Sequence, residues 1–211
     1  MEIKIFPNGV YGATTYLVYD KTSKEALIVD CTSSVEEIAN IIKKENLNLK
    51  YILITHGHFD HFYCVSEMKE KFPIAQVLIH KDDMELLKQV PAQCEMMGLE
   101  GIKVPCIDGL MDENSHNLTL GDKEIKVIHT KGHSKGGVCY LIDNTLFSGD
   151  TLFKDSIGRC DLYGGSFDEI GKSIKEKLFV LDENTLVYPG HGDETSIGYE
   201  KKYNPYFGLN S

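Results

Sequence analysis

The sequence predicts a mixed α/β fold, and three observations carry that prediction. Short apolar runs rich in β-branched residues recur along the chain, among them 26–29, 51–54, 126–128, 145–147 and 185–188. Segments with apolar residues at helical spacing lie between them, such as Val35, Ile38, Ile41 and Ile42. Several of the runs end in a small or Gly-containing turn that carries His or Asp, the placement of ligand-bearing loops at the carboxyl ends of strands.

In order, residues 2–6 read as a first strand closed by the turn Pro7-Asn8-Gly9. Residues 14–19 are rich in β-formers, 20–23 form a hairpin turn, and 26–30 return as a strand. Ser33 followed by Glu36 resembles a capping box, opening a helix that ends near Asn46. A buried strand over 51–54 follows, then a helix over 65–72 stopped by Pro73, a strand over 76–79 and a short helix over 82–89. Residues 90–115 break the pattern: Pro91, Gly98, Gly101, Pro105 and Gly109 punctuate an irregular stretch, read equally as a surface loop or as a flap over a site. From Leu118 the chain turns β-rich, with tight turns at Gly121-Asp122 and Asp143-Asn144 and a hairpin of 138–142 with 145–148. Ser166 caps a helix over 167–178, a last strand covers 185–188, and residues 199–203 have helical character. No repeat or linker marks a cut, so residues 1–211 are expected to form a single domain.

The strand over 51–54 runs into Thr55-His56-Gly57-His58-Phe59-Asp60-His61. A polar turn would account for one surface histidine, not for four ligand-type side chains at H-x-H-x-D-H spacing. Imidazole and carboxylate are ligands for zinc or iron at neutral pH, and a loop containing Gly57 can aim several of them at one point. Three further strand-then-loop units follow: 126–128 into His129-Thr130-Lys131-Gly132-His133, 145–147 into Ser148-Gly149-Asp150, and 185–188 into Pro189-Gly190-His191-Gly192.

As an ordered set these four units resemble the signature of the metallo-β-lactamase fold superfamily. The resemblance covers nearly the whole chain and implies an αββα sandwich, two β-sheets flanked by helices. It also implies two divalent metal ions per chain, zinc first, with iron or manganese suited to the same donors. By that resemblance His56, His58 and His133 hold one metal, Asp60, His61 and His191 hold the other, and Asp150 bridges both. Two metals roughly 3.5 Å apart can share a hydroxide that stays deprotonated at neutral pH and serves as nucleophile. Asp60 is then also catalytic, orienting that hydroxide. His129 is expected to be a buried, hydrogen-bonded residue or a supporting partner of the ligands rather than a ligand, with His80 and His116 away from the metals and Asp30 a further supporting partner.

Within the superfamily, 147–153, Ile157-Gly158-Arg159-Cys160-Asp161 through Ser166, and Tyr188-Pro189-Gly190-His191-Gly192-Asp193 onward look like the glyoxalase II branch. The match is nearest to its short hydroxyacylglutathione hydrolase-like members, which lack the C-terminal helical domain with which longer enzymes bind glutathione. Lys131 stands where the branch has Pro, and Ser134-Lys135 replaces Thr-Pro; neither change removes a ligand. The implied activity is hydrolysis of a small-molecule thioester such as S-2-hydroxyacylglutathione. Arg159 is its expected substrate-binding residue, unless it pairs with Asp161 and only shapes the loop. The alternatives are a persulfide dioxygenase with a single iron, or a lactonase or other ester hydrolase on the same scaffold.

Composition narrows the field. The net charge of −10, from 22 basic and 32 acidic side chains, repels phosphate backbones, and no basic run offsets it. Neither a signal core nor a membrane-length apolar stretch is present, so a cytoplasmic protein is expected, with neither nucleic acid nor membrane as partner. Six cysteines without a C-x-x-C pair read as reduced thiols.

Overall fold

Alternation of apolar side chains decides which way each strand faces. In the run Glu25–Val29, Ala26 and Ile28 enter one apolar cluster while Leu27 and Val29 enter another, so this strand is covered on both faces. A computed structural model, which describes residues 1–96, 98, 102–112, 115 and 118–210, shows how the remaining runs join it.

The first sheet holds β1 (Glu2–Phe6), β2 (Thr15–Tyr19), β3 (Glu25–Val29), β4 (Asn48–Leu53), β5 (Gln76–His80) and β6 (Gly109–Met111), in that spatial order. β1 to β3 are antiparallel and β3 to β6 parallel. The second sheet contains β7 (Thr119–Leu120), β8 (Lys123–His129), β9 (Val138–Ile142) and β10 (Thr145–Gly149). After a small hairpin of β11 (Leu152–Phe153) and β12 (Ser156–Ile157), β13 (Leu186–Pro189) and β14 (Thr195–Ser196) complete it in the order β14-β13-β10-β9-β8-β7. β10 and β13 are parallel, so both β10 and β13 end on the same edge of the sandwich.

The two sheets meet through Leu27, Val29, Tyr51 and Leu53 on one side and Ile125, Tyr140, Ile142 and Phe147 on the other. On the outer face of the first sheet lie α1 (Val35–Lys44), α2 (Phe59–Phe62), α3 (Val65–Lys71) and α4 (Met84–Met96). α5 (Phe167–Ser173), continued by a π turn over Ile174–Leu178, and α6 (Ile197–Tyr203) cover the second. The layers run α, β, β, α, as the resemblance implies. Ile52 and Leu53 are fully buried, one toward each face of β4. Truncating either to Ala removes about 2–5 kcal/mol, the usual cost of a cavity in a core.

Three expectations need correction. The capping box does not form: Ser34, not Ser33, precedes α1, in a left-handed conformation (φ 58) and without a side-chain capping bond. Glu36 and Glu37 still occupy the first turn, where the helix dipole favours them. The short helix over 82–89 instead starts at Met84 and continues through Pro91 to Met96. Pro91 removes one backbone donor, but Leu86, Leu87, Val90 and Cys94 form a buried stripe that holds the helix together across it. The stretch from 90 is therefore helical at its start, and Gly109–Met111 adds a parallel strand to β5. Residues 97, 99–101, 113 and 114 of the expected irregular segment lie outside the described residues, as does His116. Among the described residues no helix is long and apolar enough to cross a membrane.

Candidate metal centre

All seven expected ligands come from loops on one edge of the sandwich. The turn after β4 and the short α2 present His56, His58, Asp60 and His61. His133 follows β8, Asp150 follows β10 and His191 follows β13. The loops are tied to one another by backbone: Val138 N–H donates to the Thr55 carbonyl (2.9 Å), Cys31 N–H to that of His61 (2.9 Å) and Thr14 N–H to that of Gly190 (2.9 Å). Tyr16 closes the same edge, its hydroxyl donating to the Pro189 carbonyl at 2.6 Å.

The donor atoms form three overlapping groups, His56/His58/His133, His56/His61/Asp150 and Asp60/His61/His191, with the atoms of each group within 4.8 Å of one another. Their outer hydrogen bonds fix which nitrogen carries the proton. Asp30 and a main-chain carbonyl can only accept. So His61 Nδ1 donates to Asp30 Oδ2 (2.8 Å) and His133 Nδ1 donates to the Arg159 carbonyl (2.8 Å). Thr55 Oγ1 gives its own proton to Asp30 Oδ2 and accepts from His56 Nδ1 (3.1 Å). With Nδ1 so engaged, the Nε2 atoms of His56, His61 and His133 face inward.

The inward nitrogens lie close together. His133 Nε2 lies 2.8 Å from His58 Nδ1 and 3.1 Å from His56 Nε2, and His61 Nε2 lies 3.2 Å from His191 Nε2. Nitrogens this close share a proton or a cation, and a metal ion between them would satisfy both. Asp150 Oδ1 is buried without a hydrogen-bond partner, 3.4 Å from His61 Nε2. A β-carbon at Gly190 would collide with that oxygen and stand 2.7 Å from His61 Cε1, so the carboxylate fits only because residue 190 is glycine. The donor set suits a pair of divalent metals.

Charge divides the set. Burial and the adjacent imidazoles push His56 well below the usual histidine range, and burial with His133 takes His58 down to about 4. Burial acts the same way on His61, but Asp150, Asp30 and Asp60 outweigh it and raise that ring well above the usual value. His191 is raised too: burial lowers it, and Asp60 and Asp150 more than offset that. Asp150 is depressed despite burial, because His61, His133 and His191 surround it.

The centre opens onto a cavity of about 700 Å³. Its walls are largely apolar: Tyr11, Phe59, Leu86, Phe153, Ile157 and Leu162 line it. Tyr11 adopts a left-handed conformation (φ 50) and meets Phe59 edge-on at 5.4 Å. Arg159 also lines the cavity, and its guanidinium donates to both oxygens of Asp161 at 2.8 and 2.7 Å. That pair is solvent-exposed on both sides.

Two histidines set apart from the ligands by sequence also stay apart in space. His129 Nε2 donates to the Lys135 carbonyl (2.8 Å), and its ring stacks on that of His80 at 4.1 Å. Asp83 went unnoticed in the sequence. It is buried and accepts hydrogen bonds from Gly57, Ser134 and Gly136. Its one sequence signal is that it closely follows a strand, like the ligands themselves. Asp30, expected as a supporting partner, accepts from Thr55 N–H as well as from Thr55 Oγ1 and His61.

An αββα sandwich with seven converging His and Asp side chains that could hold metal on one edge defines a metal-dependent hydrolase class. The chain belongs to the metallo-beta-lactamase superfamily, whose sequence model matches residues 8–191. It is 32% identical over 213 residues to the hydroxyacylglutathione hydrolase GloC of Haemophilus influenzae, covering 100% of this chain and 99% of that one. Among solved structures, the BLEG-1 B3 metallo-beta-lactamase superposes with a TM-score of 0.88 at 36% identity, covering 98% of this chain and 99% of the other. TTHA1623, solved in a di-iron-bound form, superposes with a TM-score of 0.83 at 30% identity, over 96% of this chain and 99% of its own.

Proposed function

We propose that this protein is a thioester hydrolase with two zinc ions, acting on small acyl thioesters of the S-2-hydroxyacylglutathione type. The observation that carries the reading is the inward-facing donor set at the floor of an apolar cavity. When bound, the two metals would supply a water ionised at neutral pH and a Lewis acid for the carbonyl oxygen. His56, His58 and His133 would hold one, Asp60, His61 and His191 the other, and Asp150 both. Asp60 is half-buried beside His61 and His191, where its carboxylate would also orient the water that the metals supply. Phe59, Phe153 and Ile157 shield the acyl arm from bulk water and favour an apolar one. The activity in the name of the Haemophilus influenzae relative supports the thioester class. Because both sheets contribute ligands, residues 1–211 would work as one unit. Six free cysteines fit the cytoplasm.

Metal analysis of the purified protein beside a thioester panel tests the reading. The panel should vary the thiol and, separately, the length of the acyl chain. About two zinc ions per chain and turnover that improves with apolar acyl groups are expected. One iron per chain with oxygen consumption on a persulfide would replace it with a dioxygenase. Full metal loading with turnover of lactones but no thioester would move the substrate class.

A further inference from the structure

The loops carrying His56, His58 and His133 meet at a single carboxylate that is no ligand itself. Asp83 follows β5 and is fully buried. Its Oδ2 accepts Gly57 N–H at 2.9 Å and the Ser134 hydroxyl at 2.7 Å, and its Oδ1 accepts Gly136 N–H at 2.6 Å. Gly57 lies between His56 and His58, while Ser134 and Gly136 follow His133. One side chain therefore grips both loops that make up the three-histidine position. The approach is close: a β-carbon on Gly136 would stand 2.9 Å from Asp83 Cγ. The other position is tied to Asp30 through His61 directly, and Asp30 reaches His56 only at one remove, through the Thr55 hydroxyl.

We propose that Asp83 is the positioning residue of the three-histidine position. It sets the spacing of the two loops, and so the metal affinity there, while leaving the Asp60/His61/His191 position to Asp30. The inference rests on the metal reading above. Partners that orient ligands typically account for about 10–100-fold in metal affinity. The substitution D83N keeps size but presents an amide nitrogen to an array of N–H and O–H donors, so at least one of the three bonds is lost.

The experiment reads zinc affinity at one position at a time. Metal-stripped protein is titrated with zinc against a chromophoric chelator, in a His191→Ala background that isolates the three-histidine position and in a His58→Ala background that isolates the other. D83N is expected to weaken zinc binding at least tenfold in the first background and less than twofold in the second. Ser134→Ala removes only one of the three bonds and should act in the same direction by about threefold, which keeps the test alive should D83N fail to fold. Equal weakening in both backgrounds, or unchanged affinity in the first, would overturn the proposal. Wild-type protein that bound no zinc in the opening titration would overturn the metal reading and this inference together.

Discussion

The two metal positions are made of the same residue types but are held in opposite ways. At the three-histidine position the supporting carboxylate, Asp83, bonds backbone and a hydroxyl and touches no imidazole. At the other, Asp30 takes the proton of His61 directly, and Asp60 and Asp150 stand beside the same ring. The first position is organised by loop geometry, the second by charge. The lesson is that a symmetrical ligand count can hide two different controls, one sensitive to backbone spacing and one to protons.

Breaking what the positions share should have the largest effect. Asp150→Ala removes the carboxylate common to both, so metal should fall at both positions and kcat/KM by at least about a thousandfold, the equivalent of roughly 4 kcal/mol. Elemental analysis with steady-state kinetics checks this, and full retention of both metals would falsify the bridging role. Next comes Asp30→Asn, chosen because residue 30 has φ 51 and Asn tolerates that conformation as Asp does. Metal at the Asp60/His61/His191 position should weaken by about 10–100-fold, and the three-histidine position, which Asp30 reaches only through Thr55 and His56, should weaken less. Chelator competition in the same two single-position backgrounds reads the difference, and loss confined to the three-histidine position would reverse the comparison.

Acid should separate the positions without mutation. A ring whose proton affinity is raised keeps a proton to higher pH, so protons displace its metal earlier as pH falls. His61 and His191 are raised and His56 and His58 lowered, so the second position should empty first. Metal per chain measured across pH 7 to 4 should drop in two steps, the first taking activity with it. Simultaneous release, or the reverse order, would show that charge does not distinguish them. The smallest effect is expected at Arg159. Its exposed pairing with Asp161 is weak enough for a substrate carboxylate to displace. Arg159→Ala should raise KM for carboxylate-bearing thioesters about tenfold, near 1.4 kcal/mol, and leave uncharged ones unchanged. An equal loss on both would make Arg159 a shaper of the loop.

The convergence of the seven expected residues was legible in the sequence because each follows an apolar run by a few residues, as His56 follows 51–54. Local spacing carries that information. Asp83 was not legible: its partners Gly57 and Ser134 are 26 and 51 positions away, and only the packing of α4's start against both loops brings them together. The helix across Pro91 was missed for a related reason. Proline is a local stop signal, and the buried stripe that overrides it becomes visible only against the core. Ser33 and Glu36 had the spacing of a cap, but the chain enters α1 through Ser34 in a left-handed turn, which no residue type there demands. The cavity walls were equally hidden, since Tyr11, Phe153 and Leu162 come from separate segments of the chain.

The ligands come from both sheets, and that makes the centre a seam as well as a catalyst. Four of them ride on the first sheet and three on the second, so a bound metal pair pins the two halves along one edge. Binding to the folded chain alone adds stability with the logarithm of free metal, about 2.7 kcal/mol per site at a hundredfold excess over Kd. The abundance of the protein in a cell would then track its metal supply. An unloaded chain would lack that increment and hold its two sheets together only by their shared core and the backbone bonds along that edge.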